Sequence, residues 1–562
     1  MLRLVAVVVG ALLAAGANWL FWSLPNQPYD LEARPLGIIK SVSFAPFRDG
    51  QSPLTKSYPS AREIEEDLQL LKGRVAGIRT YTSREGIEVV PEIARRLGIE
   101  VTMSAWIGSE AKINDAEVAA LIALANAYPD VIKRVIVGNE VLLRKEQKPE
   151  ALAGYIRRVR AAVKQPVSYA DVWEFWRRNP QLAPEVDFIT IHILPYWENH
   201  PSGVDDLESH VMAAYREIER AFPGKPLLIG EAGWPSAGRT RGPAAPTLIN
   251  KARFINGFRA LAADKGVDYN LIEAFDQRWK AKLEGTVGAN WGLFSTDRRA
   301  KWGADGKVVE NPQWRTHFAA TTAITLLLLG FAVATRPGLG VGAILWAAIA
   351  FQAIATASFA AIGLEWLHAY SLWRQAWLVF VAGLVLATGA AMVEAFRALG
   401  RTEPPALAAP AWAQRAAQLY LFSAVIAVIH TLLMAFDGRY RDFPVATFAP
   451  VLAGTVLLAA ARWSLGRARL RDAFSFDGLF GPGSAPTLSE DARAIVVAAG
   501  LLGAIGMTIG ETLANREALI WAAMTIAIVL PFGIGLPMTS LVRPGATRHG
   551  GRARLIRLRR SA

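Results

Sequence analysis

The sequence predicts an α/β chain in which a (β/α)8 TIM barrel is fused to an all-α polytopic transmembrane domain. Three observations predict it. Between residues 34 and 313, eight short β-rich runs alternate with amphipathic helical patterns. From about residue 316, long apolar stretches replace that alternation, and a similar stretch opens the chain. Hydrophobic residues are 52% and charged residues 19% of the 562, too apolar a balance for a soluble protein.

Residues 4–24, behind Arg3, form an uncharged apolar stretch. Crossing a bilayer takes about 20 residues, so it is long enough. Small residues at 15–17 offer a cleavage site, but the apolar character continues through Trp19 to Trp22. The reading is an uncleaved signal anchor over residues 1–25, with a cleaved signal peptide as the alternative.

The β-rich runs are "GIIKSVSF" (37–44), "VAGIRTY" (75–81), "IEVTMSAW" (99–106), "IKRVIVGNE" (132–140), "PVSYADVW" (166–173), "DFITIHILPYW" (187–197), "PLLIGEAGW" (226–234) and "YNLIEAFD" (269–276). Helical patterns separate them. In the first, Ile64, Leu68 and Leu71 share one face, Ser60 can cap the start and Gly73 can end it. Eight such units suit a barrel of about 250 residues. A doubly wound open sheet is the alternative, but no glycine-rich dinucleotide fingerprint follows the first run.

The domain at 316–542 carries seven apolar stretches, near 316–335, 341–363, 373–394, 415–435, 445–462, 493–513 and 517–541. Arginines mark alternate connections: Arg336, then Arg397, Arg401 and Arg415, then Arg462, Arg467, Arg469 and Arg471. The connections between them are balanced or acidic, with Glu365 in one and two Arg against two Asp in another. The positive-inside rule puts the Arg-rich side in the cytoplasm. With the anchor the number of spans is even, so both termini lie inside and the barrel outside, in a periplasm-like space. Much of the net charge of +13 sits in a basic tail, 543–562, with seven arginines and no acid. A tail directly behind an apolar span reads as a cytoplasmic retention signal, and nucleic acid is not an expected partner. The lipid bilayer is.

There are no cysteines, which removes disulfides and thiolate chemistry, and the seven histidines show no ligand spacing. No metal or cofactor is expected. The chemistry sits where barrel enzymes carry it, at the C-terminal ends of strands. The fourth run finishes "VIVGNE", with Asn139 and Glu140 at the rim; the seventh finishes "LLIGE", with Glu231 there. Strands four and seven face each other across the mouth, so both carboxylates can reach one cleft. Two facing carboxylates are what glycosidic bond cleavage needs. A solvated strand end is the alternative for either glutamate taken alone.

"VGNE" and "GEAGWPS", with "EAFDQRWK" (273–280) and "NWGLF" (290–294), resemble the family 17 glycoside hydrolases, in order, over about residues 36–313. The resemblance implies a retaining enzyme active on β-1,3-glucan, with Glu140 as general acid/base and Glu231 as nucleophile. It implies that Asn139 binds the sugar 2-hydroxyl and that Tyr81 lines the reacting subsite. Tyr196, Trp234 and Trp279 become candidate sugar platforms, with rim packing as the alternative for each. Glu273, Asp276 and Lys280 resemble the polar cluster that orients nucleophile or substrate. His192 is expected to be an interior barrel residue. Gln277 and Gly288 stand where eukaryotic members commonly have glutamates, so the family's auxiliary carboxylates are not expected here.

The fused transmembrane domain is similar to that of bacterial membrane-anchored members linked to periplasmic β-1,3/β-1,6-glucan synthesis. That implies an inner-membrane β-glucan transglycosylase that elongates, branches or cyclises β-1,3-glucan, with β-1,6 linkage an option and a glucan synthase a candidate partner. The alternatives are an endo-β-1,3-glucanase and a glucan-binding transporter or scaffold. For the transporter, Glu365, Glu394, His430 and Glu511 are the polar groups in or near the apolar stretches.

Overall fold

The computed structural model describes residues 1–31, 37–303, 306–399, 410–481, 483–484, 488–534 and 536. The basic tail, Arg401 and the end of the last expected span lie outside the described residues.

Helix α1 (Leu2–Ser23) leads to a short strand, β1 (Tyr29–Asp30). Eight parallel strands then close into a barrel in chain order: β2 (Ile39–Ser43), β3 (Val75–Arg79), β4 (Glu100–Ala105), β5 (Ile132–Asn139), β6 (Val167–Val172), β7 (Ile189–Ile193), β8 (Leu227–Ala232) and β9 (Asp268–Leu271). Helices α2 (Ala61–Leu71), α3 (Val90–Leu97), α4 (Ala111–Ala127), α5 (Pro149–Arg160), α6 (Trp173–Arg178), α7 (Leu207–Ala221) and α8 (Leu248–Lys265) fill the connections. After β9 come the short helix α9 (Ala281–Gly288) and β10 (Lys307–Val308), which pairs antiparallel with β1 and ties the two ends of the barrel together.

Parallel strands covered on both faces should be apolar nearly throughout. β5 and β7 obey, with Val135, Val137, Ile189, Ile191 and Ile193 fully buried. Helix α2 starts where its signals place it. Ser60 accepts from the Glu63 amide and the Glu63 side chain reciprocates, a complete capping box. The strand register shifts at Ile136/Asn139, at Ile191/His192 and at Ile229/Ala232, each at the end where a polar side chain emerges. Such irregularities re-aim side chains beside active sites.

One expected element is shorter. The run at 269–276 is a strand only to Leu271. Beyond it, Glu273 and Ala274 exchange backbone hydrogen bonds with the "NWGLF" segment: Leu293 N–H donates to Glu273 O at 2.8 Å and Phe294 N–H to Ala274 O at 2.9 Å. The two motifs are therefore one local unit, folded back across the mouth.

The chain continues in α10 (Trp314–Thr335), α11 (Val341–Leu367), α12 (Leu372–Ala398), α13 (Ala411–Asp437) and α14 (Val445–Ser464). Two short helices follow, α15 (Leu470–Ala473) and α16 (Phe476–Phe480), then α17 (Glu490–Glu511) and α18 (Arg516–Gly533). With α1, eight of these helices are long and apolar enough to cross a membrane, which suggests membrane association. Helix α1 packs into the bundle. The Asn18 amide, buried, donates to Thr321 and Thr322 Oγ1 and accepts from Thr356 Oγ1. The polar groups in or near the apolar stretches all have packing partners. Glu511 pairs with Arg239 of the barrel, Glu394 with Arg397, Glu365 accepts from Trp377 and Thr447, and His430 packs between Trp377 and Phe448.

The barrel sits with the C-terminal ends of its strands toward the helices. The α13–α14 and α17–α18 connections and the first turn of α18 meet the loops that follow β7, β8 and β9, through Arg439 to Trp197 O, Asn515 to Thr240 O, Glu517 to Thr240 N and Asp442 to Thr286. The α11–α12 connection lies on that side too, where Arg374 approaches Asp442 to 3.9 Å.

Candidate active site

Glu140 emerges from a sharp turn. Gly138 has φ +87°, and a Cβ there would lie 2.7 Å from Val141 Cγ2, so only glycine fits. Glu140 itself has φ +53°, a conformation that costs a non-glycine residue on the order of 1–3 kcal/mol and recurs at functional sites. The turn lifts the carboxylate over the mouth, where its side chain stays 22% exposed. On the facing stave, Gly230 precedes Glu231. A Cβ at 230 would lie 2.3 Å from Thr190 and 3.2 Å from the Arg79 guanidinium, so the position must be empty for Arg79 to cross the barrel.

His192, at the end of β7, stands between the two carboxylates. Its Nδ1 is 2.8 Å from Glu140 Oε1, and its Nε2 is 3.7 Å from Glu231 Oε1. One oxygen of each glutamate and a ring nitrogen all lie within 4.8 Å of one another. Arg79 assigns the tautomer. Its Nη1 is 3.3 Å from Nε2 and can only donate, so Nε2 accepts and Nδ1–H donates to Glu140. Arg79 is fully buried and also donates to Asn139 Oδ1 at 2.6 Å and Gly230 O at 2.8 Å, and it lies 3.5 Å from Glu231. Tyr81 O–H donates to Glu231 Oε1 at 2.8 Å, with Ser43 Oγ 2.9 Å away.

Burial pushes the Glu140 carboxyl up, but the hydrogen bond from His192, with the charges of Arg144 and Arg79, outweighs it and holds the group below the ordinary carboxylate range. Asp171, beneath Glu140 on β6, goes the other way. Burial pushes it up to about 6, against the hydrogen bond from Tyr169 and with a further push from the Glu140 charge. Glu273 is fully buried and pushed up to about 7 by desolvation, opposed by Lys280, whose Nζ is 2.9 Å from both its oxygens.

The structure thus brings Glu140, Glu231, Asn139 and Tyr81 together, with the Glu273–Lys280 pair behind Glu231. Two expected sugar platforms need correction. Tyr196 and Trp234 are fully buried, packed edge to face at 6.4 Å, with Tyr196 O–H donating to Arg239 O and Trp234 Nε1–H to Ala245 O. Neither has a free face. Both follow the strand end but turn inward to wedge the β7 and β8 loops. Asp276 is buried as well, held by Gly292 N–H at 2.9 Å and Lys301 Nζ at 2.7 Å, and it pins the folded-back segment. Trp279 keeps a partly open ring, set edge-on against Phe47 with its Nε1–H on Gln277. His192 is interior as expected, but it touches Glu140.

Three groups escaped the sequence reading. Arg79 lies two residues before Tyr81, and a charged residue in a run otherwise buried was the available signal. Trp106, 36% exposed at the end of β4, carries the Arg144 guanidinium 4.1 Å from its ring centroid, beside Asn139. Glu284 fills the space beside Gly288. A Cβ at 288 would lie 2.9 Å from its carboxylate, so a carboxylate stands there after all, supplied one turn earlier.

Two carboxylates and an imidazole at this spacing also resemble a set of metal ligands. Arg79 opposes that reading, because its guanidinium already occupies Nε2 and faces Glu231, where a cation would have to sit.

The BtgE/BtgC glycoside hydrolase domain matches residues 41–292. A glucan 1,3-beta-glucosidase of Arthroderma benhamiae is 30% identical over 267 residues, 44% of this chain and 85% of that protein. One of Candida albicans is 26% identical over 267 residues, 43% of this chain and 86% of that protein. The crystal structure of a glycoside hydrolase family 17 beta-1,3-glucanosyltransferase from Rhizomucor miehei is 26% identical, with a TM-score of 0.42 over 47% of this chain and 95% of that one. By its barrel, which carries the strand-end glutamates, this chain belongs to the glycoside hydrolase family of the BtgE/BtgC domain and the glucan 1,3-beta-glucosidases.

Proposed function

We propose that the protein is a membrane-anchored retaining β-glucan transglycosylase that acts on β-1,3-glucan. Glu231 is the nucleophile and Glu140 the general acid/base. The observation that carries this is the close approach of the two carboxylates, one oxygen of Glu140 lying within 4.8 Å of one oxygen of Glu231. A retaining pair stands at about 5–5.5 Å, whereas an inverting pair leaves about 6.5–9.5 Å for a water. Tyr81 and Arg79 hold Glu231 in place for attack on the anomeric carbon, and Asn139, held by Arg79, offers its amide N–H to the sugar 2-hydroxyl. His192 donates to Glu140 and keeps its carboxylate turned toward the mouth. The attack breaks the glycosidic bond as Glu140 protonates the leaving oxygen. Glu140, now a base, then takes a proton from the acceptor that resolves the glycosyl-enzyme.

Water or a sugar hydroxyl can be that acceptor. The curated relatives are glucosidases by name, which favours hydrolysis as the second reading. Transfer is favoured by the fusion to eight apolar helices, since a tether suits assembly of a polymer at a membrane better than its breakdown. The packing of α1 into the bundle supports an uncleaved anchor. The alternation of Arg-rich connections with connections that meet the barrel supports an extracytoplasmic barrel at a bacterial inner membrane, with both termini inside. A glucan synthase is the partner that would supply donor chains.

The test uses the full chain in detergent with laminari-oligosaccharides, with products resolved by length and linkage. Products longer than the donor, β-1,3 or β-1,6 linked, are expected, and Glu140→Gln and Glu231→Gln should abolish them. Only shorter sugars at high acceptor concentration would reject transfer. Unchanged turnover in both variants would reject the catalytic pair.

A further inference from the structure

The segment after β9 faces two ways. Lys280 and Glu284 point to the catalytic end, where Lys280 pairs with Glu273; burial pulls the Lys280 ammonium's pKa down, but Glu273, Glu284 and Glu231 together hold it above the ordinary lysine value. Glu284 lies within electrostatic reach of Glu140 and Glu231. The next two residues face the helical domain. Helix α9 is broken at Gly285, φ +69°, and a Cβ there would lie 2.3 Å from the Tyr440 carbonyl oxygen. Thr286 Oγ1–H donates to Asp442 Oδ2 at 2.5 Å. Both partners belong to the α13–α14 connection, which is itself tied to the barrel by the Trp197–Tyr440 ring pair at 5.7 Å and by Arg239 over Phe443 at 5.0 Å.

A broken helix of eight residues has no stability of its own, because the first turn is costly to form and few bonds follow it. Its position is set by what it docks on. Here one side of the dock is the buried Glu273 and the other is the α13–α14 connection. We propose that the helical domain completes the active site: through Asp442 and the Tyr440 carbonyl, its outer loop is the positioning element that holds Lys280 and Glu284 against the catalytic carboxylates. The inference rests on Glu140 and Glu231 as the catalytic pair. It gives the helices a part in the chemistry besides anchoring. Lys280 and Glu284 act on charge that develops at the reacting centre, so loosening them should lower kcat more than it weakens binding.

The experiment compares full-length wild type with Asp442→Ala, Thr286→Val, Thr286→Ser and Gly285→Ala in detergent. Hydrogen exchange is read on the peptide spanning 280–290, and kcat and KM on laminari-oligosaccharides. Asp442→Ala and Thr286→Val should speed exchange there about tenfold and lower kcat at least tenfold, with KM within about twofold of wild type. Thr286→Ser keeps the donor and should restore both. Gly285→Ala, which forces a methyl into the Tyr440 carbonyl, should act like Asp442→Ala. Wild-type exchange in Asp442→Ala and Thr286→Val overturns the proposal whatever the turnover, and so does wild-type kcat alongside faster exchange. Glu231→Gln runs in parallel. If it retains turnover, the catalytic pair is wrong, while the exchange data still decide whether the loop holds the segment.

Discussion

His192 is the residue through which the site's acid–base behaviour is most directly read. It donates from Nδ1 to Glu140 Oε1 at 2.8 Å, from a fully buried ring. Glu140 is pushed up by burial and pulled down chiefly by that contact, with Arg144 and Arg79 adding to it. Replacing His192 with Leu removes the donor and leaves burial opposed by two arginines. A hydrogen bond to a charged group is worth about 1.5–3 kcal/mol, or roughly 1–2 pH units at about 1.4 kcal/mol each. The sign follows from the role. In its proposed role as acid Glu140 must hold its proton, so the alkaline limb of kcat/KM would mark the loss of that proton in the free enzyme. In His192→Leu that limb should move up by roughly 1–2 units. His192→Asn places an amide N–H close to where Nδ1 stood, and its limb should move less than half as far. The assay is the pH dependence of kcat/KM for a laminari-oligosaccharide, with Asp171→Asn as a control for the group pushed up to about 6 next to Glu140. An alkaline limb in active His192→Leu that stays put, or moves down, would refute the assignment of His192 as the group that governs Glu140.

Other outcomes can be checked alongside. Desolvation pushes Glu273 up to about 7 from an ordinary 4.5, so the folded state binds the extra proton between those values and stability should fall as pH rises through them. The 2.5-unit difference is ~3 kcal/mol, and thermal unfolding from pH 5 to 8 should be flatter in Glu273→Gln by that order. Arg79→Met strands Glu231 without its buried cation and should lower the unfolding midpoint by the equivalent of about 3–5 kcal/mol. Arg79→Lys keeps the charge, cannot reach Asn139 and Gly230 together, and should fall between the two. Trp106→Ala removes the open ring beside Arg144 and should raise the ratio of hydrolysis to transfer several-fold, read as the length distribution of products, for a loss of about 1 kcal/mol of acceptor binding.

What the sequence discloses follows a physical boundary. Glu140 and Glu231 are legible because each ends an apolar run, and a parallel barrel presents strand ends to one mouth. The apolar helices are legible because length and composition suffice. The aromatics are not. Tyr196 and Trp234 follow strand ends just as Trp106 does, but whether a ring turns inward or outward depends on loops packed from elsewhere in the chain. Tyr196 is covered by Arg241 and Trp234 by Phe254, neither adjacent in sequence. Glu284 is hidden for a related reason. It reaches the place beside Gly288 only because the helix breaks at Gly285, and Gly285 meets a carbonyl some 150 residues further along the chain. Local pattern carries the staves of the barrel; the inventory of its mouth is set by long-range packing.

That packing bears on whether a sugar or water resolves the glycosyl-enzyme. The helical domain covers the loops after β7, β8 and β9, the flank that carries Glu231, Lys280 and Glu284. The flank after β4 and β5, with Glu140, Trp106 and Arg144, makes none of these contacts. In a retaining mechanism the covalent sugar sits on the nucleophile, while the acid/base serves first the leaving group and then the acceptor. On the proposed mechanism the covered flank would hold the covalent sugar, and the flank left open is the one over which an acceptor would approach. Trp106, 36% exposed there with Arg144 held over its ring, is the aromatic surface on that flank that would hold a pyranose ring and displace the water that would otherwise resolve the intermediate. Transfer would then depend on two surfaces built by different parts of the chain: a docked wall that keeps the nucleophile's surroundings fixed, and an open ledge beside Glu140 that favours sugar over solvent.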